Sequence, residues 1–152
     1  MSDQKESDRE IVISREFNAR REMVFEAFTD PRHVDHWWGP RGFTTTTSSM
    51  NARAGGEWLY VMKHAQYGEF KNRVRYREVV KPERLAYIHD AGEDHDPSAF
   101  EVTILFEAQG EKTKVTMRMV FPTVAEFERV KGFGAVQGGE QTLERLQEWL
   151  PA

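Results

Sequence analysis

The sequence predicts an α+β protein in which an antiparallel sheet of about six to seven strands carries its helices on one face. A series of short segments alternates apolar and polar residues with the period of two that is typical of strands with one buried face. The last segment, Ala135 to Leu150, instead places its apolar residues within one arc at helical spacing. Strands and helices that each have one apolar side bury those sides most simply by packing as two layers.

One strand and two short helices form the N-terminal part. Glu10–Phe17 alternates in polarity and predicts the first strand. Arg20–Phe28 has helical spacing, and Asn18 is its candidate N-cap. A second helix is predicted to start at Asp30-Pro31, because Asp is a strong N-cap and Pro fits the first helical position. Gly39-Pro40 ends it.

The next two strands differ in character. Phe43–Met50 is rich in Thr and Ser and polar on both faces, which indicates an edge strand. Gly55-Gly56 predicts a turn or a point of close contact after it. The following strand has one face that we expect to point inward, made of Trp58, Tyr60, Met62 and His64.

The fourth strand has the sharpest difference in polarity between its two faces. One set is apolar except for Asn72 and consists of Phe70, Asn72, Val74 and Tyr76, and the other, basic set is Lys71, Arg73, Arg75 and Arg77. We expect the first set to be buried and the second to be solvated, because charge runs on exposed strand faces are common. The alternative is a basic surface that binds phosphate or an acidic partner.

Three further strands precede the C-terminal helical region. They are predicted at Leu85–His89, Ala99–Glu107 and Val115–Phe121, each with one apolar face. Thr123 and Glu126 then have the spacing of a capping box, which predicts a helix start.

Glycines mark two special points in this helical region. Gly132 and Gly134 bracket Phe133 and predict a break between a short helix and the long one. Gly138 and Gly139 lie next to and inside the apolar arc, where each costs about 1 kcal/mol relative to Ala. Such glycines indicate a close approach, either of a packed strand or of a ligand in a cavity.

Composition excludes several classes of protein. The 152 residues include no Cys, which removes disulfides, thiolate metal sites and Cys nucleophiles and fits the cytoplasm. The net charge of -4 argues against a nucleic-acid partner. The polar N-terminus lacks the apolar core of a signal peptide or membrane anchor. We therefore expect a disordered tail over residues 1–9 and a single domain over residues 10–152.

Several of these segments together resemble a known family. They are Val24–Pro31, Trp37–Pro40, Gly55–Trp58, Pro82–Leu85 and Gly139–Leu150. In this order they are similar to proteins related to the C-terminal domain of the activator of heat-shock-protein-90 ATPase, within the START-like (SRPBCC) superfamily. The resemblance implies a Bet v-like helix-grip fold, in which a curved sheet wraps around a long C-terminal helix with an apolar cavity between them.

The resemblance leaves three kinds of function open. The superfamily includes carriers of lipids and hormones, polyketide cyclases and co-chaperone domains, so the fold alone does not choose among them. We expect binding of a small hydrophobic or aromatic ligand in the cavity. An enzyme that uses the same cavity for cyclisation, hydrolysis or isomerisation and a co-chaperone-like interaction module are the alternatives. A chaperone partner and a homodimer stay open, and no nucleic acid, membrane or cofactor is expected.

Inward-facing aromatic and polar residues are the candidate ligand-binding residues. A small-molecule pocket combines apolar area with a few polar groups that fix the orientation of the ligand. The candidates are Trp37, Trp38, Trp58, Tyr60, Met62, Phe70, Asn72, Tyr76, His89, Met117, Gly138 and Gly139. No catalytic residue is assigned, because no nucleophile motif, phosphate loop or carboxylate pair stands out.

A metal site is not expected. His33 and His36 have a spacing that places two imidazoles on one side of a helix, but no obvious third ligand accompanies them. The acidic loop Glu93–Asp96 is interpreted as solvated, because such loops are common without a bound ion.

Overall fold

A computed structural model of the protein describes residues 5–151 and contains one seven-stranded antiparallel sheet and four helices. The strands are β1 Glu10–Phe17, β2 Phe43–Met50, β3 Glu57–His64, β4 Gly68–Val80, β5 Arg84–Asp90, β6 Phe100–Gln109 and β7 Lys112–Val120. The helices are α1 Arg21–Thr29, α2 Pro31–Trp37, α3 Val124–Gly132 and α4 Ala135–Trp149.

The strand order in the sheet is β1-β7-β6-β5-β4-β3-β2. The Thr/Ser-rich strand β2 therefore lies at one edge, as its sequence predicts, and β1 lies at the other. The pairing register shifts between Thr47 and Ser49 and again between Tyr76 and Glu78, which bends the sheet locally. The curved antiparallel sheet with its C-terminal helix confirms the predicted α+β, helix-grip fold.

The long helix α4 supplies the centre of the helical layer. Its side chains Leu143 and Leu146 are almost completely buried, at 1% and 0% exposure. The helix contacts α2, α3 and β1. The apolar arc predicted from the sequence thus faces the core, and its hydrophobic burial holds helices and sheet together.

Helix boundaries follow the capping residues with one exception. Asp30 caps α2 by accepting from the amide of Arg32 at 2.9 Å, and Thr123 caps α3 by accepting from the amide of Glu126 at 3.0 Å. The predicted break between α3 and α4 is confirmed by Gly134, whose φ of 85° suits only a residue without a Cβ. The prediction of Asn18 as a cap is wrong, because the N-cap of α1 is Arg20, two residues later, and its side chain makes no capping hydrogen bond.

Strand β4 follows the predicted polarity only in part. Val74 and Tyr76 are buried as expected, but Phe70 is 45% exposed because it lies near the hairpin end of the strand. The sequence also predicts a solvated Arg73, yet only 12% of its side chain is exposed. The difference arises because Asp90 on β5 takes two hydrogen bonds from the Arg73 guanidinium, both at 2.9 Å.

Part of the predicted N-terminal tail lies outside the described residues. From residue 5 onward, Glu6–Asp8 form one turn of 3-10 helix. Arg9 donates from Nη1 to the carbonyl of Phe121 at 2.6 Å, and Arg118 pairs with Glu6 at 3.1 Å. Within residues 5–9, Glu6 and Arg9 therefore contact β7 and the residue that follows it. The disordered tail expected over residues 1–9 stays a prediction.

The two helical glycines of α4 mark close approaches. A Cβ built on Gly139 would clash with Cδ1 of Ile13 on β1, and one built on Gly138 would lie 3.3 Å from Cγ of Pro40. At Gly139 the close neighbour is thus a strand side chain, which was one of the two alternatives left open by the sequence.

This clash predicts strong coupling between Gly139 and Ile13. Gly139→Ala gains about 1 kcal/mol of helix propensity but overpacks the contact at a cost of about 1 to 3 kcal/mol, so its net effect is zero to destabilising. In an Ile13→Val background, which removes Cδ1, the same change should stabilise by up to about 1 kcal/mol. Urea unfolding of the four proteins tests this, and an equal effect of Gly139→Ala in both backgrounds would contradict it.

Candidate ligand pocket

A large cavity lies between the concave face of the sheet and the first half of α4. Its volume is about 930 Å³. Strands β3 to β7 supply one wall, and the loop after α2 and the α3–α4 junction supply the other. Its surroundings are predominantly apolar and aromatic, which is the usual make-up of a small-molecule site.

Nine of the twelve candidate ligand-binding residues line this cavity. Trp38 comes from the loop after α2, and Gly138 and Gly139 come from α4. The sheet contributes the remaining six, which are Tyr60, Met62, Phe70, Asn72, His89 and Met117. The structure therefore brings together residues that are spread over more than half of the sequence.

The other three candidates, Trp37, Trp58 and Tyr76, do not line the cavity. Trp37 is fully buried and donates from Nε1 to the carbonyl of Ala27 at 3.1 Å. Trp58 is 2% exposed and stacks on Tyr60 with ring centroids 4.0 Å apart. Tyr76 is 4% exposed. All three belong to the packed core beside the cavity, because their rings are covered by neighbouring side chains.

Other lining residues were missed by the sequence analysis. They include Phe43, Tyr67, Tyr87, Phe100, Val102, Met119, Phe133 and Ala135. Tyr87 and His89 are two positions apart on β5 and share a face, so the alternation of that strand was a usable signal. Phe133 lies between two glycines at a helix break, and no periodic pattern reports where such a side chain goes.

The mouth of the cavity is rimmed by exposed aromatic side chains. Phe133 at the α3–α4 junction is 81% exposed. Tyr67 and Phe70, at and beside the β3–β4 turn, are 63% and 45% exposed. All three line the cavity as well, so the rim is apolar on its solvent side.

Arg145 fixes the loop after α2, which forms part of the cavity wall opposite the sheet. Its Nη1 lies within hydrogen-bond distance of three carbonyl oxygens in this loop, at 2.8 Å from Gly39, 3.2 Å from Trp38 and 3.3 Å from Pro40, and 3.2 Å from the carbonyl oxygen of Phe43 at the start of β2. The charge of Arg145 is thus directed at backbone carbonyl oxygens of the loop. The loop and the helix are thereby held as one wall.

Two side-chain pairs supply polar groups on the sheet wall. Trp38 donates from Nε1 to the hydroxyl oxygen of Tyr60 at 3.1 Å. His89 Nε2 lies 2.9 Å from Oδ1 of Asn72, whose Nδ2 donates to the carbonyl of Phe70 at 3.0 Å. These bonds orient Tyr60 and His89, which both line the cavity.

The polar groups of this wall stay uncharged at neutral pH. Burial raises the pKa of both Tyr60 and Tyr87 above the ordinary value for a phenol. Burial also lowers the pKa of His89 to about 4, although the charges of Asp90 and Asp96 oppose this shift. His89 is therefore a neutral imidazole wherever the protein is folded near pH 7.

The lowered pKa of His89 predicts a specific loss of stability in acid. Unfolded His89 takes up a proton near its ordinary pKa of 6.5, whereas folded His89 does so only near 4, so the unfolded state binds more protons between these values. The contribution of neutral His89 to the free energy of unfolding is therefore complete above pH 6.5 and is about 2 to 3 kcal/mol smaller at pH 4.5. Urea unfolding of wild type and His89→Phe at pH 7 and 4.5 measures it. A loss of stability that is equal in both proteins would contradict the assignment.

A possible metal cluster near α2 is accounted for by other contacts. Glu26, Asp30 and His33 bring ligand atoms within 4.8 Å of one another. However, His33 Nδ1 accepts from Trp149 Nε1 at 3.1 Å, so in the neutral ring the proton is on Nε2, which points toward Glu26 at 3.8 Å. The nitrogen that faces the carboxylates is thus a donor, and His36 is stacked on Trp149 instead. This arrangement favours a hydrogen-bonded surface cluster.

Comparisons with known proteins agree with this fold. The family model described as Activator of Hsp90 ATPase homolog 1-like protein matches residues 18–150. A crystal structure of a Nitrosomonas europaea protein aligns with a TM-score of 0.87 at 20% identity, covering 96% of both chains. A Mycobacterium smegmatis protein aligns at 0.86 and 18% identity, covering 97% of this chain and 94% of the other. A Staphylococcus epidermidis protein aligns at 0.82 and 25% identity, covering 99% and 93%. A search of curated proteins gave no match.

None of the helices within residues 5–151 is long and apolar enough to cross a bilayer.

Proposed function

The chain belongs to the family of Activator of Hsp90 ATPase homolog 1-like proteins, and we propose that it binds a small hydrophobic or aromatic molecule in the cavity between the sheet and α4. The observation that carries this proposal is the cavity itself. Its volume of about 930 Å³ lies within the range of sites that enclose ligands of drug size. Filling it with side chains alone would have been the simpler way to stabilise the core.

We propose further that the bound molecule is held without being converted, and that this happens in the cytoplasm. The absence of Cys from the sequence supports a reducing compartment. Within the described residues, the cavity lining includes no Ser and no carboxylate. The hydroxyl of Thr142 donates to the carbonyl of Gly138 at 2.8 Å, so it is already engaged.

A neutral dye whose fluorescence rises in apolar surroundings tests the proposal. N-phenyl-1-naphthylamine is titrated against wild type and against the variants Ala135→Trp and Met119→Trp. Each variant replaces a smaller residue that lines the cavity by a bulky indole. Each variant should weaken binding by at least about tenfold, which corresponds to about 1.4 kcal/mol. Glu140→Trp is the matched control, because Glu140 is on the exposed side of α4, and it should bind as wild type does.

Two outcomes would overturn the proposal. One is equal affinity of wild type and both cavity variants, which would place the dye elsewhere. The other is failure of wild type to bind any of a panel of neutral apolar dyes, together with a chaperone partner captured equally well by wild type and Ala135→Trp. That result would favour the interaction-module alternative, because the outer surface would then act without the cavity.

A further inference from the structure

The cavity lining has an unusual charge composition. Charged residues make up 30% of the sequence. Nevertheless, among the described residues that line the cavity there is no Asp, Glu, Lys or Arg. Three nearby cations have other partners. Arg145 faces loop carbonyls, and Arg41 pairs with Glu144 and Glu148 on the outer side of α4. Arg129, whose guanidinium lies 5.9 Å from the centre of the Phe133 ring, pairs with Glu126. A ligand in the cavity therefore meets hydrogen-bonding groups but no counter-ion.

The hydrogen bonds of Asn72 determine which nitrogen of His89 carries the proton. Since Nδ2 of Asn72 donates to the carbonyl of Phe70, the oxygen Oδ1 is the atom that faces His89 Nε2. An amide oxygen only accepts, so Nε2 is the donor and bears the proton. The other nitrogen, Nδ1, is then a bare acceptor in the neutral imidazole.

This acceptor is left without a partner in the described part of the chain. Within residues 5–151, no group donates a hydrogen bond to His89 Nδ1. Nδ1 is also not fully buried, because the one fully buried side-chain atom without a hydrogen bond among these residues is Nε of Arg75. Because His89 lies on the concave face and lines the cavity, the accessible side of Nδ1 is the cavity side. The His89 ring lies beside the rings of Phe100 and Tyr60, with ring centroids 4.8 and 6.4 Å apart.

The phenol groups next to His89 complement this acceptor. Tyr60 accepts from Trp38, so its own hydroxyl proton is still available to a ligand. Tyr87 lines the cavity two residues before His89, and its hydroxyl has no hydrogen bond to residues 5–151. One acceptor and two hydroxyl groups thus lie on the same apolar wall.

We propose that the cavity selects uncharged apolar molecules that carry a hydroxyl or N–H group, which donates to His89 Nδ1, and that it rejects anions. This inference rests on the proposed ligand-binding function and names the class of ligand. An anion would lose its hydration without gaining a positively charged partner, which is a heavy penalty in an apolar site. A ligand with no donor would leave Nδ1 desolvated and unpaired, which is a smaller penalty.

Three probes that differ by one group each test this selection. They are N-phenyl-1-naphthylamine, its N-methyl derivative, and its 5-sulfonate. The first has an N–H, the second lacks it, and the third keeps the N–H free and adds a negative charge on the other ring of the naphthalene. We expect the N-methyl derivative to bind about 3- to 10-fold more weakly than the parent. The sulfonate should bind at least about 100-fold more weakly, because it would be desolvated without a partner.

The variant His89→Phe tests whether Nδ1 causes the difference in affinity between the parent dye and its N-methyl derivative. It should remove the preference for the parent over the N-methyl derivative while leaving the sulfonate excluded, since the lining still has no cation. Equal binding of parent and N-methyl derivative by wild type, or sulfonate binding within threefold of the parent, overturns the inference but leaves the proposed function standing. The wild-type comparison does not depend on the folding of any variant. Failure of all three probes to bind overturns both.

Discussion

Replacing Asp90 by alanine is expected to lower the free energy of unfolding by about 3 to 5 kcal/mol, because it leaves a partly buried guanidinium without its partner. The Asp90 side chain is 0% exposed. It accepts two hydrogen bonds from Arg73 and one from the amide of Gly92, and it forms an ion pair with Arg75 at 3.1 Å. Burial alone would raise the pKa of Asp90, but these hydrogen bonds and charges lower it below its usual value. Its contribution is therefore present above the unfolded pKa and is lost as the pH falls through the folded one.

Asp94→Ala is the matched control for this prediction. Asp94 also pairs with Arg73, at 3.1 Å, but its side chain is 78% exposed. An exposed ion pair of this kind contributes about 0 to 1 kcal/mol. Urea unfolding at neutral pH compares the two variants. Similar small losses for both would mean that Arg73 is adequately solvated without Asp90, and that the interstrand pair is not a principal contact of the sheet.

Trp37→Ala should be comparably destabilising, by about 3 to 5 kcal/mol, because it removes a fully buried indole from the core. The ring packs edge-on against Phe28, with centroids 4.7 Å apart, and its Nε1 donates to Ala27. Removing the indole leaves a cavity and also leaves the carbonyl of Ala27 without this hydrogen bond. Thermal or urea unfolding measures it, on protein shown to be folded by circular dichroism.

The adjacent Trp38 and the distant Trp149 provide the comparison for Trp37. Trp149 is 38% exposed, so Trp149→Ala should cost about 1 kcal/mol or less despite its bond to His33. Trp38→Ala should weaken binding of the neutral dye, since Trp38 lines the cavity and Trp37 does not. If Trp37→Ala proved as mild as Trp149→Ala, the α1–α2 contact would not be the packed core described above.

The sequence was a good guide to the fold wherever periodicity and capping act locally. The alternation of β4 identified Val74 and Tyr76 as buried, and the spacing in α4 identified Leu143 and Leu146. It failed at Arg73, because burial of that side chain depends on a carboxylate 17 residues away on the neighbouring strand. A polarity pattern within one strand contains no information about such a partner.

The candidate site was less accessible to sequence reasoning, for a physical reason. An inward aromatic side chain has the same pattern whether it fills the core, as Trp58 does, or lines a cavity, as Tyr60 does two residues later. The distinction depends on the shape left between sheet and helix. The importance of His89 likewise came from Asn72, which fixes its proton through a diagonal contact between β4 and β5.

The clustering of three tryptophans gives the protein an internal optical reporter. Trp38 lines the cavity, and the rings of Trp37 and Trp58 lie 5.4 and 5.3 Å from it. Excitation absorbed by any of the three passes among them and on to a guest beside Trp38 whose absorption overlaps the emission of indole. Occupancy by such a guest should therefore quench their emission, and Trp149→Phe would remove the one remaining indole outside the cluster as a source of background. Emission of the protein as purified from cells, compared with that of the same protein after extraction with an organic solvent and refolding, then reports without any added label whether such a guest was already present.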